Sequence, residues 1–523
     1  MHVLGIEGTA WAASAAVYDD ETDEVFIETD AYQPESGGIH PREAAEHMRE
    51  AIPGVVETAL EAATGPIDAV AFSRGPGLGP CLRIVGTAAR SLAQTLDVPL
   101  VGVNHMVAHL EIGRHRSGFE SPVCLNVSGA NAHVLGYRNG RYRVLGETMD
   151  TGAGNAIDKF TRHVGWTHPG GPKVEAAASD GEYVDLPYVV KGMDFSFSGI
   201  MSAAKQAYDD GVPVEDVCYG LQETMFAMLT EVAERALSLT GRDELVVGGG
   251  VAQNQRLQEM LADMAAQRGA ELHIPEPRFL RDNAGMIAVL GATMAAAGDT
   301  IPVAESNVDA DFRPDQVPVT WRSGETVAAP VDREGTIRGA EATVTVEEDR
   351  VVKRRVPKTY RHPSLDDRLR RERTVEEARL THDARRAGVP TPVVRDVDVR
   401  EDTIVFEFVG EHDLRDALTE TRVRAVGEHL AAIHGDGIVH GDPTTRNVRV
   451  DGPRTYLIDF GLGYYSQDVE DYAMDLHVFE QSVRGTADEP EPMVEAFELA
   501  YSEAGEQVVI DQLRSIEGRG RYQ

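Results

Sequence analysis

His105 and His109, four residues apart in NHMVAH, would stand on one face of a helix, close enough to share a metal ion. Such a pair is weak on its own and becomes a site only with further ligands. Asp282 in RDNAGMIA opens a glycine-containing turn into a helix and is the best third ligand, although aspartate there can also serve as an N-cap. Asn126, ending a strand before Ser128–Gly129, could reach the same ion. The residue after His105 is Met106, so the glutamate base of an HExxH protease helix is missing. His40 and His47 are two helical turns apart, too far for one ion, and are read as structural or substrate-facing.

Three glycine turns would let backbone N–H groups approach a phosphate or ribose: Ser128–Gly129–Ala130–Asn131, Gly170–Gly171–Pro172 and Gly248–Gly249–Gly250. Asn254 begins the helix after the third turn and could bond a nucleotide. Asp158 and Lys159 in GNAIDKF, with Glu175 in GGPKVE, add polar groups for ribose or metal.

A second set of residues follows farther along. Lys353 lies on a strand, where a kinase needs a cation for the α and β phosphates, and Glu377 on a helix is its ion-pair partner. IVHGDPTTRNV supplies Asp442 as catalytic base and Asn447 as a metal ligand, and LIDFGLG supplies Asp459 for the second metal contact. No GxGxxG loop is present; GAEATV at Gly339–Val344 stands in its place, and HGD replaces HRD.

Residues 1–320 alternate strand-like and helix-like segments, an α/β pattern. Strands are predicted at His2–Gly5, Ala69–Ser73, Leu100–Val103, Val123–Val127 and Glu244–Val247. Two segments, beginning VLGIEGTAW and VCLNVSGAN, read alike as three-strand meanders, each opening one half of a duplicated domain of the actin, sugar-kinase and Hsp70 type. The pattern dissolves around Glu305–Gly335, giving a first domain over 1–323, a linker over 324–333 and a second domain over 334–523. In the second, TVTVEEDRVVKRRV reads as a hairpin, Asp366–Gly388 as a helix and EDTIVFEFVG as a strand, with a largely helical remainder.

The charge is lopsided: 86 acidic against 50 basic residues give a net charge of −36, and only six of the basic residues are lysine. That is a halophile composition, in which salt screens repulsion between the chain and a nucleic acid at short range. Ten Lys or Arg against three Asp or Glu between Arg350 and Arg373 break the trend. Three cysteines without a CxxC pair read as core residues and point to the cytoplasm. No signal peptide or membrane span is expected.

HPREAAEH, NHMVAH, NVSGAN, GNAIDKF, GGPKVE, DFSFSG, GGGVAQN and RDNAGMIA occur in the order found in the universal tRNA threonylcarbamoyladenosine synthase family, the catalytic subunits of the KEOPS complex once labelled sialoglycoproteases. The resemblance covers residues 1 to about 323. It implies transfer of a threonylcarbamoyl group from threonylcarbamoyl-AMP to adenosine 37 of ANN-decoding tRNAs. It implies that His105, His109 and Asp282 hold iron or zinc. It further implies that Asp158, Gly171, Glu175 and Asn254 bind the adenylate beside the turn Asn126, Val127, Ser128, Gly129, Ala130. At Asn126 the chain departs from the archaeal pattern, which has a metal-binding tyrosine there. GAEA, VVKRRVPKTYRHPSLD, RTVEEAR, HGDPTTRN and DFGLG resemble the small atypical kinase of the same complex over about 334–523. That resemblance implies ATP and Mg bound by Lys353, Asn447 and Asp459, a serine/threonine kinase or ATPase supporting the synthase, and other small KEOPS subunits as partners. Arg350–Arg373 and the C-terminal Arg519 and Arg521 become candidate tRNA contacts. A metalloprotease, an actin-like scaffold or sugar kinase, and a protein kinase with a binding domain are the rival readings.

Overall fold

In the computed structural model the chain divides into two compact units, one formed by Met1–Val189 and Asp194–Ala329, the other chiefly by Pro330–Arg521. Residues 1–32, 40–138, 140–322, 336–487 and 489–519 are described; the expected linker and Arg521 lie outside them, as does the side chain of Arg519.

The first unit opens with β1 (His2–Glu7), β2 (Ala12–Asp19) and β3 (Glu24–Ala31), followed by α1 (Pro41–Glu61), β4 (Ala69–Gly75), α2 (Gly79–Leu96), β5 (Leu100–Asn104) and α3 (His105–Ser117). A second series repeats this plan: β6 (Val123–Val127), β7 (Ala132–Arg138), β8 (Arg141–Glu147), α4 (Ala153–His163), α5 (Gly171–Ala178), α6 (Ser198–Asp209), α7 (Val214–Thr240), β9 (Glu244–Gly248), α8 (Gln255–Arg268), β10 (Glu271–His273), α9 (Pro277–Leu280) and α10 (Ala284–Ala296). The five predicted strands are all present. The sheets run β3-β2-β1-β4-β5 and β8-β7-β6-β9-β10, the same order counted from each half. In both, the meander is antiparallel and the last two strands join it in parallel. The two similar segments of sequence therefore open two similarly ordered sheets.

Each half ends in a helix that packs on the other half. α3 follows the first sheet and lies against β9 and β6, whereas α10 follows the second sheet and lies against β1, β4 and β2. Both are buried on nearly every side, which is why neither carries a polar face. Small residues permit the close approach: a Cβ on Gly5 would stand 2.5 Å from the Ala284 carbonyl, and one on Gly113 would meet Val246 at 2.9 Å. The exchange brings the start of α3 and the start of α10 together. The three cysteines are buried and free, and among the described residues no helix is long and apolar enough to cross a membrane.

The second unit begins with a five-stranded sheet in the order β11 (Thr336–Arg338), β12 (Ala342–Val346), β13 (Arg350–Arg355), β15 (Thr403–Glu407), β14 (Val394–Asp398). Between β13 and β14 runs α11 (Pro363–Arg386), and a helical part follows with α12 (Glu420–Gly435), α13 (Val469–Arg484), α14 (Pro490–Ala504) and α15 (Gln507–Arg519). Its core gathers Leu380, Leu430, Phe460, Phe479 and Phe497. The basic run that stood out by composition is largely ion-paired. Arg355, Arg361 and Arg373 surround Glu341, and Arg370 engages Asp366, Asp367 and Asp402. Asp366 and Asp367 belong to the run itself; Glu341 and Asp402, which lie outside it, answer part of its excess charge.

Candidate functional site

Asn104 caps α3, its side chain accepting the Met106 and Val107 N–H groups at 3.0 Å each while its amide nitrogen donates to the Phe312 carbonyl at 2.8 Å. That cap fixes His105 in the first turn and His109 one turn later. Asn283, accepting the Met286 N–H at 3.0 Å, takes the N-cap role at α10 and leaves Asp282 available to the cluster. The result is a convergent triad. Asp282 Oδ1 lies 3.4 Å from His105 Nε2 and 3.5 Å from His109 Nε2, and ligand atoms of all three fall within 4.8 Å of one another. Two imidazoles and a carboxylate suit iron or zinc, and an ion held by these three residues would have coordination positions left for other ligands.

Glu7, which sequence reasoning did not single out, completes the surroundings. Fully buried at the end of β1, it accepts the Thr9 N–H at 2.7 Å and stands 3.1 Å from His105 Nδ1. A carboxylate behind a ligating histidine fixes its ring and tautomer. Burial would push His105 down, but Glu7 and Asp282 together raise it to about 10. Asp282 is held well below the carboxylate range, its burial outweighed by the two histidines. Two carboxylates so placed demand positive charge between them, which a divalent ion fits.

The glycine turns lie alongside. Gly249 adopts φ +86°, and a Cβ there would stand 2.2 Å from the Val127 carbonyl, so the third turn packs onto β6 at its last residue, next to Asn126. The turn from Ser128 to Asn131 closes on itself and receives α4, whose Asn155 N–H donates to the Gly129 carbonyl at 2.8 Å. Trp11 stacks on His168 with ring centroids 5.2 Å apart. His168 in turn contacts Asp158 at 3.2 Å, and Asp158 accepts the Gly170 N–H at 2.8 Å, setting the entry to α5 at Gly171. Glu175 accepts the Gln255 N–H at 2.7 Å, and Asn254 caps α8 while donating to Gln222 at 3.0 Å. The side chains of Asp158, Glu175 and Asn254 are thus taken up by backbone N–H groups of these turns and of the helix start after them. His40 is the residue before α1, outside the helix, and His47 contacts the Asp30 carbonyl at 3.1 Å, so the two do not share a helix face.

In the second unit, Lys353 Nζ lies 2.7 Å from both Glu377 and Asp459. Asn447 donates to the Asp442 carboxylate at 3.0 Å and to its carbonyl at 2.8 Å. Burial opposes the charge on Asp459, yet Lys353 holds its carboxyl at about 2. Asp459 has φ +64°, in the left-handed region that aspartate tolerates better than most side chains. Two supports were not legible: Arg355, which binds Glu377 at 2.6 Å, and Asp475, which accepts the His440 and Gly441 N–H groups at 2.6 and 2.8 Å. Gly441 has φ +81°, and a Cβ there would meet the Leu462 carbonyl at 2.3 Å, so this loop must read HGD rather than HRD. Glu377→Ala would remove the partner that buried Lys353 and Arg355 share, leaving Lys353 with Asp459 at 2.7 Å and Arg355 with Glu341 at 3.7 Å. The expected loss is about 1–3 kcal/mol in the unfolding of the second unit, measured by denaturant titration.

A duplicated α/β unit with a three-ligand metal cluster beside glycine turns, joined to a unit carrying a lysine, two carboxylates and an Asp–Asn loop, defines a class of two-site protein. A family model described as TsaD, tRNA N6-adenosine threonylcarbamoyltransferase, matches residues 22–289. The probable bifunctional tRNA threonylcarbamoyladenosine biosynthesis protein of Halobacterium salinarum is 74% identical over 100% of this chain and 99% of its own. The corresponding protein of Methanospirillum hungatei is 51% identical over 99% of both chains. Among solved structures, full-length HypF in its phosphate- and nucleotide-bound form is similar at 13% identity, with a TM-score of 0.41 over 56% of this chain and 55% of that one. The chain belongs to the family of bifunctional tRNA threonylcarbamoyladenosine biosynthesis proteins.

Proposed function

We propose that the first unit, an actin/sugar-kinase/Hsp70-like domain, transfers the threonylcarbamoyl group of threonylcarbamoyl-AMP to N6 of adenosine 37 in ANN-decoding tRNAs. The observation that carries this reading is the convergence of His105, His109 and Asp282 beside the turns at Ser128–Asn131 and Gly248–Gly250. In the reaction the adenosine amine attacks the carbamoyl carbon, a C–N bond forms, the C–O bond to the phosphate breaks, and AMP leaves as the amine loses a proton. The backbone N–H groups of the turns at Ser128–Asn131 and Gly248–Gly250 would bind the adenylate phosphate and hold the carbonyl toward a bound ion. A bound iron or zinc would polarise the carbonyl or adenylate oxygen. Glu7 holds the His105 ring in place throughout.

We infer that the second unit is an atypical kinase or ATPase, with Lys353 for the ATP phosphates, Asn447 and Asp459 for Mg, and Asp442 as base. The Lys353–Glu377 pair, already closed, supports this. Small KEOPS subunits are the expected partners and the cytoplasm the expected compartment. The test is positional: digestion and mass spectrometry of tRNAs treated with the protein in molar salt. Modification confined to adenosine 37 of ANN-decoding tRNAs is expected; modification elsewhere, or peptide cleavage without tRNA, would overturn the assignment.

A further inference from the structure

A buried imidazole that gives Nε2 to a metal must carry its proton on Nδ1, and a buried N–H requires an acceptor. His105 has Glu7 for this purpose. His109 does not: its Nδ1 is buried and without a hydrogen-bond partner among the described residues. The side-chain oxygen of Asn126, 3% exposed at the end of β6, is buried and equally without a partner. The two atoms border one small space. A Cβ built on Gly248 would stand 3.2 Å from Asn126 Oδ1 and 3.6 Å from His109 Nδ1, so only glycine leaves that space open.

The far side of Asn126 is accounted for. Its Nδ2 lies 3.2 Å from Nε2 of His133, its cross-strand partner on β7, itself only 4% exposed. An amide nitrogen can only donate, so His133 Nε2 accepts and carries its proton on Nδ1. Turning the amide over would set its N–H groups against the Nδ1–H of His109 and leave the acceptor of His133 facing an oxygen. One orientation satisfies both neighbours.

We propose that Asn126 is not a metal ligand but the group that orients one: His109 Nδ1–H and Asn126 Oδ1, which make no hydrogen bond to any described residue here, would pair across the space left by Gly248, with His133 holding the amide in that orientation. The proposal rests on the metal reading of His105, His109 and Asp282. The relay in which His109 donates to Asn126 and Asn126 donates to His133 then does for one histidine, with neutral groups, what Glu7 does for the other with a carboxylate. Asn126 and His133 are positioning residues, and they act on the ion through His109.

The test is titration of the full-length protein with Co(II) in molar salt, reading affinity and the visible absorption bands that report the ligand set. Asn126→Leu and His133→Phe are each expected to weaken Co(II) binding about 10–100-fold with the bands of the wild type retained. His133→Gln, whose side-chain oxygen can accept the same N–H, is expected to recover most of that affinity. Bands altered by Asn126→Leu would make Asn126 a ligand and overturn the proposal; unchanged affinity in both variants would overturn it as well. A wild type that takes up no Co(II) would instead overturn the metal reading beneath it. Apo-protein denaturation midpoints, compared across the variants, separate a lost fold from a lost ion.

Discussion

His105→Ala is expected to leave the purified protein without its ion and to lower threonylcarbamoyl transfer to tRNA by at least about 100-fold. The substitution removes one of three ligands and also the cation between Glu7 and Asp282. Glu7 would keep only its bond to the Thr9 N–H, at 2.7 Å, in a fully buried position. Two carboxylates facing one cavity without a positive group are costly, so the variant should also be less stable. His105→Gln, which keeps the volume and can still donate to Glu7, separates these effects: it should recover stability and not transfer. Metal analysis and the rate of threonine incorporation, measured on the same preparations, check both. A variant that retains the ion and the wild-type rate would remove the cluster from the reaction.

Asp459→Ala is expected to lower ATP hydrolysis on the order of 100-fold or more while leaving a single round of tRNA modification unchanged. The fold should tolerate the change, because Lys353 keeps Glu377 at 2.7 Å. What should fall is multiple turnover: if ATP use in the second unit resets the protein after each modification, product should stop near one equivalent. Equal multiple-turnover rates in wild type and variant would sink that coupling and leave the second unit with a separate task.

How far the sequence carried the account depended on whether a signal was local. Strands such as Val123–Val127 and Leu100–Asn104 are wholly buried, and their apolar runs betray them. Asp442, Asn447 and Asp459 could be singled out because they fall in one short segment, whereas Lys353, 106 residues from Asp459, could be offered only from its place on a strand. Glu7 could not: it lies 98 residues from His105, in a meander with no chemical signature. Nor could the exchange of α3 and α10 between the sheets, since burial on all faces removes the amphipathic period that assigns a helix to its neighbour. The surroundings of the run from Arg350 to Arg373 were hidden for a related reason. Its charge is partly balanced by Glu341, Glu377 and Asp402, which lie outside the segment counted. Asn126 departs from the family pattern at one position, and the role proposed for its amide rests on His133 and Gly248, which the sequence does not place around it.

The most direct test is transfer of labelled threonine from threonylcarbamoyl-AMP to tRNA by the full-length protein in molar salt, with any small partner subunits supplied. It would be run before and after removal of metal by a chelator and again after iron or zinc is restored. The account predicts incorporation that disappears with the metal and returns with it. Incorporation that continues undiminished in metal-free protein would contradict it.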